Sequence, residues 1–250
     1  MEKIVTQQGQ ISEKLRADVL AASKKAIEEH GAFRIGVSGG SLVKFLHSTV
    51  TCVFDSELEK WQIFFCDERY VPDDSVDSTF RAYRDSYPSL EKRMIPIDYN
   101  LPLEDCAKDY ERKILKAFHA EKGSVPEFDM LLLGMGDDGH TCSLFPDHKL
   151  LQEGDRLIAP IDDSPKPPPK RVTMTLPLIN SAKRVIFVVT GAGKADVVKR
   201  AFIEKEPLPA GLISPKSLKG IFDEGAGAKL GIEPEPMRDR ELRRLLEHRR

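Results

Sequence analysis

No stretch of the 250 residues approaches the roughly 18 consecutive apolar residues of a membrane-spanning helix, and the first eight, Met1 to Gln8, lack the apolar core of a signal peptide. Cysteine is sparse. Cys52, Cys66, Cys106 and Cys142 form no CxxC pair and match no zinc spacing, which argues against a structural metal and for free thiols in a reducing cytosol. Charge of one sign is also missing. The net charge is −2, so neither nucleic acid nor an anionic membrane is an expected partner. What remains is 40% hydrophobic and 31% charged residues, the balance of a soluble folded protein of about one full-sized domain.

Apolar runs alternate with helical periodicity. Strands are predicted over 33–37, 61–66, 94–97, 128–133, 156–161, 171–176, 185–189 and 218–222. Helices are predicted over 12–30, 42–49, 103–120 and 195–204. The alternation implies a single-domain α/β fold: a Rossmann-like, open, mostly parallel sheet with helices on both faces. Ser164-Pro-Lys-Pro-Pro-Pro-Lys170 is too rich in proline for helix or interior strand and is predicted to be a stiff, extended loop. The domain is placed at 1–232, followed by a charged tail at 233–250. From Arg238 to Arg250 that tail carries six arginines against three acids.

Chemistry gathers at predicted strand ends. The run 128–133 stops at Gly134 and Gly136 and delivers Asp137, Asp138, Gly139 and His140. Imidazole titrates near neutrality and serves as a general base when a carboxylate orients it. The same string also suits an ordinary turn. The strand 33–37 runs into Ser38-Gly-Gly-Ser41 at a helix start, either an anion site or an N-cap after a glycine turn. The strand 61–66 ends in Asp67-Glu68-Arg69, and Thr190-Gly-Ala-Gly-Lys194 follows 185–189. The last is not a Walker A loop, so a nucleotide is not supported, although a single lysine there can hold a phosphate as a point charge. Arg171, after the proline loop, is a second cation. Cys142 lies near His140, but nothing marks it as an activated thiolate.

These blocks, with Phe65-Cys-Asp-Glu-Arg-Tyr-Val-Pro72, Leu133-Gly-Met-Gly-Asp-Asp-Gly-His-Thr-Cys-Ser-Leu-Phe-Pro146 and Arg171-Val-Thr-Met-Thr-Leu-Pro177, occur in the order seen in the 6-phosphogluconolactonase family. The chain resembles that family over roughly residues 12–225. The resemblance implies a fold shared with glucosamine-6-phosphate deaminase. It implies no redox cofactor and no obligatory metal, and a sugar-phosphate lactone as substrate. The expected reaction is hydrolysis of 6-phospho-D-glucono-1,5-lactone to 6-phosphogluconate by a cytoplasmic, monomeric enzyme.

In that scheme His140 activates water, and Asp138 orients the imidazole or holds the water. Arg69 is the candidate donor to the carbonyl oxygen, with Asp67 and Glu68 fixing it or binding sugar hydroxyls. Gly39, Gly40, Ser41, Arg171 and Lys194 would hold the phosphate. Which of Arg69, Arg171 and Lys194 faces the carbonyl stays open. The chain departs from the family pattern at Ser78-Thr79, where Ser-Asn is common, and at Gly220-Ile-Phe222, where a tryptophan is common. Two rivals are weighed. A deaminase would carry Gly-His-Ile-Ala-Phe-Asn-Glu-Pro, but this chain has Phe145 in place of that glutamate. A sugar-phosphate sensor fused to a DNA-binding module would need a helix-turn-helix, for which residues 1–32 have no room.

Overall fold

Every strand of the central sheet carries apolar residues on both faces, because helices cover both. Along Met130–Leu133, side chains alternate: Leu131 and Leu133 enter one hydrophobic core, Met130 and Leu132 the other. A computed structural model describes residues 1–53 and 55–236. Its ten strands are β1 (Glu2–Thr6), β2 (Phe33–Val37), β3 (Trp61–Phe65), β4 (Asp67–Arg69), β5 (Met94–Ile95), β6 (Met130–Leu133), β7 (Ile158–Ile161), β8 (Arg171–Met174), β9 (Arg184–Val189) and β10 (Ser217–Asp223). Seven form an all-parallel sheet in the order β1-β10-β9-β6-β2-β3-β5.

The helix Ile11–His30 packs Leu15, Val19 and Ala26 on one face of this sheet. It ends where Gly31 adopts φ +80° and donates to the carbonyl of Ile27. Leu103–Ala117 packs Cys106, Tyr110 and Ile114 on the other face.

The fold class is as the sequence implied, with four local differences. The runs 156–161 and 171–176 do not join the parallel sheet. They form the hairpin β7–β8, which pairs antiparallel with β4 in a second, three-stranded sheet. The reason is their connection. Parallel neighbours need a crossover of about a dozen residues or more, usually helical, and only the proline loop joins these two. The predicted helix 42–49 is broken into Leu42–Phe45 and His47–Val50. The edge strand β1 went unpredicted, being short and half polar. So did the helix Thr79–Ser86, whose signal was the N-cap Ser78, accepting from the Arg81 N–H at 3.1 Å. The chain still contacts the domain at Glu235, whose N–H donates to Val5 and whose carboxylate pairs with Lys14. The arginine-rich segment 238–250 lies outside the described residues.

The junction of the two sheets is held by one buried phenol. β5 pairs with β3 only through Ile63 and Phe64, so the N–H of Phe65 has no strand partner on that side. Tyr110 supplies one. Its hydroxyl accepts from Phe65 N at 2.7 Å and donates to Phe65 O at 3.1 Å, one turn of chain before Asp67. Tyr110→Phe is expected to leave this donor buried and unpaired, costing about 1–3 kcal/mol. Denaturant unfolding of the variant against the parent measures it.

Candidate active site

β2 and β6 are neighbours, yet the chain leaves β2 toward β3 and β5 and leaves β6 toward β9 and β10. Such a switch point opens a crevice outside the carboxyl ends of the strands. Here a cavity of about 240 Å³ lies there, lined by Ser38, Gly39, Gly40 and Ser41 after β2, and by Asp67 and Arg69 of β4. Gly134, Gly136 and His140 after β6, Arg171 of β8 and Lys194 after β9 complete it. That volume is below the roughly 300–1,000 Å³ typical of drug-sized ligands and suits one sugar ring. A larger hollow of about 610 Å³ elsewhere is lined by Glu104, Glu153, Arg156 and Asp162 among others. Within it Arg156 pairs with Glu104 at 3.1 Å and with Glu153 at 3.9 Å, and no imidazole lines it.

The loop after β6 brings a carboxylate and an imidazole together. Asp138 Oδ1 accepts from the His140 backbone N–H at 3.0 Å and meets its ring Nδ1 at 2.6 Å. That pairing makes Nδ1 the protonated nitrogen and leaves Nε2 as the acceptor. Burial opposes ionisation of Asp138, but the His140 contacts and nearby positive charge outweigh it and hold the carboxyl below its usual value. The ring of Phe145 lies 4.8 Å from the imidazole. Gly136 has a steric role: a Cβ there would sit 2.1 Å from the His140 ring and 2.9 Å from Asp138 Oδ1.

Positive charge comes from three elements. Arg69 and Arg171 are direct cross-strand partners in the β4–β8 ladder, so both guanidinium stems leave the same face of the small sheet. Arg171 is only 3% exposed. Its Nε and NH2 donate to the carbonyls of Pro168, Lys166 and Pro167 at 3.0–3.1 Å, and NH1 reaches Ser143 Oγ at 3.5 Å and Asp67 Oδ2 at 3.9 Å. Burial and then the nearby Arg69 pull its pKa down, opposed by Asp67. Lys194 donates to Met135 O at 2.6 Å, and burial lowers its pKa too.

One expectation shifts. Glu68 does not line the cavity. Its buried carboxylate accepts from the backbone N–H groups of Arg69, Thr79 and Phe80 at 2.7–2.8 Å, so it braces the start of the helix Thr79–Ser86 instead of meeting a sugar hydroxyl. At Cys142, where the sequence showed no sign of an activated thiolate, the neighbouring Cys66 thiol and burial push the thiol well up. Two further lining residues come from stretches already singled out in the sequence. Thr79 comes within 3.1 Å of the space a Gly39 Cβ would take. The buried Ser38 hydroxyl has no hydrogen-bond partner among the described residues. Ser38 opens the Ser-Gly-Gly-Ser motif, and Thr79 belongs to the Ser78-Thr79 pair at which the chain departs from the family pattern.

Among the described residues, one group combines metal-ligand chemistry at close range: Asp137, Asp138 and His140. The Lys166 ammonium already pairs with Asp137 and lies 3.8 Å from Asp138, so the group is an ion-pair network. No helix among them is long and apolar enough to cross a membrane.

An imidazole paired with a carboxylate, opening on a cationic crevice at the switch point of a parallel sheet, is the arrangement of an α/β enzyme site. Comparison with known proteins then narrows the class. Residues 6–222 match the family described as glucosamine-6-phosphate isomerases/6-phosphogluconolactonase, and the chain belongs to it. The 6-phosphogluconolactonase of Homo sapiens is 48% identical over 212 residues, covering 80% of this chain and 81% of its own. A probable 6-phosphogluconolactonase of Schizosaccharomyces pombe is 38% identical, covering 88% and 92%. The solved 6-phosphogluconolactonase from Trypanosoma cruzi superposes with a TM-score of 0.82 at 26% identity, covering 92% of this chain and 97% of its own.

Two outcomes follow from this geometry. Gly136→Ala is expected to push the imidazole off Asp138 and lower kcat by roughly 10²-fold, with a thermal melt confirming that the fold survives. Burial, against three backbone N–H groups, raises the Glu68 carboxyl to about 7 from an ordinary 4.5. The unfolded chain therefore releases this proton first, so the group's contribution is complete below pH 4.5 and is lost as pH rises through about 7. Denaturant midpoints measured from pH 5 to 7.5 should fall less steeply for Glu68→Gln than for the parent.

Proposed function

We propose that this chain is the hydrolase of 6-phospho-D-glucono-1,5-lactone in the oxidative pentose phosphate pathway, forming 6-phosphogluconate. The observation that carries the proposal is the Asp138–His140 pair facing the cavity shared by Arg69, Arg171 and Lys194. Water bound at Nε2 of His140 gives up a proton as its oxygen attacks the lactone carbonyl. Asp138 stabilises the imidazolium that results. The carbonyl π pair moves onto oxygen, and Arg69 is the proposed donor to that oxyanion. On collapse, the bond from carbonyl carbon to ring oxygen breaks and the imidazolium returns its proton to the leaving oxygen. The products are a carboxylic acid, which ionises, and a hydroxyl. No redox partner is needed.

The phosphate is assigned to the Gly39-Gly40-Ser41 turn with Arg171 and Lys194. Binding energy from this remote group holds the ring over the base. Gly40 takes φ +70°, a conformation that favours glycine and lets the main chain approach a ligand. The active unit is proposed to be a monomer. Four cysteines that form no CxxC pair suit the cytosol as its place.

The deaminase reading of the same family requires a carboxylate that supports ring opening. Phe145 stands there, 1% exposed and packed on the imidazole, and it cannot transfer a proton.

Purified, chelator-treated protein should open the lactone faster than its spontaneous hydrolysis and release no ammonia from glucosamine-6-phosphate. His140→Ala should lower kcat by roughly 10²–10⁴-fold. Folded parent protein that gives only the spontaneous rate would refute the assignment.

A further inference from the structure

The proline loop is not used by the chemistry just described, yet it is among the most firmly held segments beside the site. It joins β7 to β8 and carries Lys166. Four prolines, Pro165, Pro167, Pro168 and Pro169, flank that lysine and restrict the backbone. Both polar backbone atoms of Lys166 are bound. Its N–H donates to Ser164 Oγ at 3.2 Å, and its carbonyl accepts from Ser164 Oγ at 2.8 Å and from Arg171 NH2 at 3.1 Å. Arg171 also holds the carbonyls of Pro167 and Pro168. The lysine is thus presented by a rigid mount whose ordering cost was met in folding.

The ammonium at the end of this mount is directed to the loop after β6. It pairs with Asp137 and stands 3.8 Å from Asp138 Oδ2, while Asp138 Oδ1 is the atom that binds His140. An exposed ion pair of this kind contributes little to stability. Its position is what matters: a fixed positive charge sits one carboxylate away from the base.

We propose that Lys166 is a positioning residue for the reaction, acting on His140 through Asp138, and that the proline loop, fastened by Arg171, is the strap that holds it there. This inference rests on His140 being the base of the lactone hydrolysis. A cation behind Asp138 shares that carboxylate with the imidazole. It keeps Asp138 ionised and fixed, and it opposes the positive charge that His140 acquires when it takes a proton.

Other charges also face the imidazole. Asp137 and Asp138 lie on its own loop. Arg171 of β8 lies over the Phe145 ring that packs against it, at 5.8 Å from the ring centre. Asp67 and Arg69 of β4, and Lys194 after β9, line the same cavity. A change at Lys166 leaves all of these groups in place; it removes the ammonium from Asp137 and Asp138 and one positive charge from the surroundings of Lys194.

The test is the titration of the His140 ring protons by NMR in the parent, Lys166→Met and Lys166→Arg, with the His140→Gln spectrum giving the assignment. Lys166→Met should move the midpoint upward by roughly half a pH unit or more, from loss of a nearby positive charge. Lys166→Arg should stay near the parent. The acid limb of the pH profile of kcat/KM should move with it, while KM for the lactone stays within about twofold, since this residue is not placed on the substrate. An unmoved titration with a raised KM would make Lys166 a substrate ligand and overturn the proposal. An unmoved titration with unchanged kinetics would reduce the pair to surface charge. Should the parent protein fail to hydrolyse the lactone, the functional reading falls, and the NMR titration still decides whether Lys166 acts on His140.

Discussion

Two parallel strands that lie side by side but feed opposite halves of the sheet leave a gap between their outgoing chains. In this protein the gap lies between β2 and β6, which pair through Ile35, Gly36 and Val37. The pairing continues one step further, with Ser38 N donating to Leu132 O at 3.1 Å. After that the chains diverge. One turns through Gly39 and Gly40, the other through Gly134 and Gly136, and the cavity is the space between them. Gly36 makes the close pairing possible. A Cβ there would meet Leu131 at 2.4 Å and Cys66 at 3.0 Å.

The second sheet works on the open side of that gap. β4 continues from β3 after Cys66 and turns from the parallel sheet to an antiparallel partner. The change of partner delivers Asp67 and Arg69 to the cavity and, through β8, sets Arg171 opposite Arg69. Placing two guanidiniums side by side is unfavourable without an anion. The surroundings offset this by holding Arg171 with three carbonyls and by setting Asp67 near it, itself bound by Ser143 Oγ at 2.7 Å. A site that keeps like charges together in its resting state has most to gain when a phosphate dianion or a developing oxyanion enters.

Local order around the imidazole follows the same logic. The turn from Gly136 to Gly139 closes through Gly139 N to Gly136 O at 3.2 Å, and Gly136 N returns to His140 O at 2.9 Å. Gly139 takes φ +88°, where a side chain would be strained. These bonds bring a carboxylate and an imidazole only two residues apart into contact. The chain between them is too short to wander, so the pair is preorganised before any ligand arrives.

Much of this was legible in the chain itself. Buried parallel strands announce themselves as short apolar runs closed by glycine and charge, and the residues that follow them are delivered to one edge because parallel strands all end on the same side. That is why Ser38, Asp67, His140 and Lys194 were read together from four separate segments. The pairing of Asp138 with His140 is local and needs only a tight turn. What the chain did not disclose depends on partners distant in sequence. Glu68 and Arg69 are neighbours, yet strand alternation sends one carboxylate into the backbone of the helix Thr79–Ser86 and the next side chain to the cavity. The hairpin β7–β8 has the apolar character of core strands, and only its lack of a crossover put it in a separate sheet beside β4. The proline loop was legible as stiff, but not as an arm reaching Asp137, because its direction is set by Arg171 and by the register of β8 against β4. Composition and periodicity thus determined which groups would gather at the sheet edge. Tertiary pairing alone decided which of them face the ligand space and which hold the others in place, since that depends on register and side-chain direction across elements far apart in the chain.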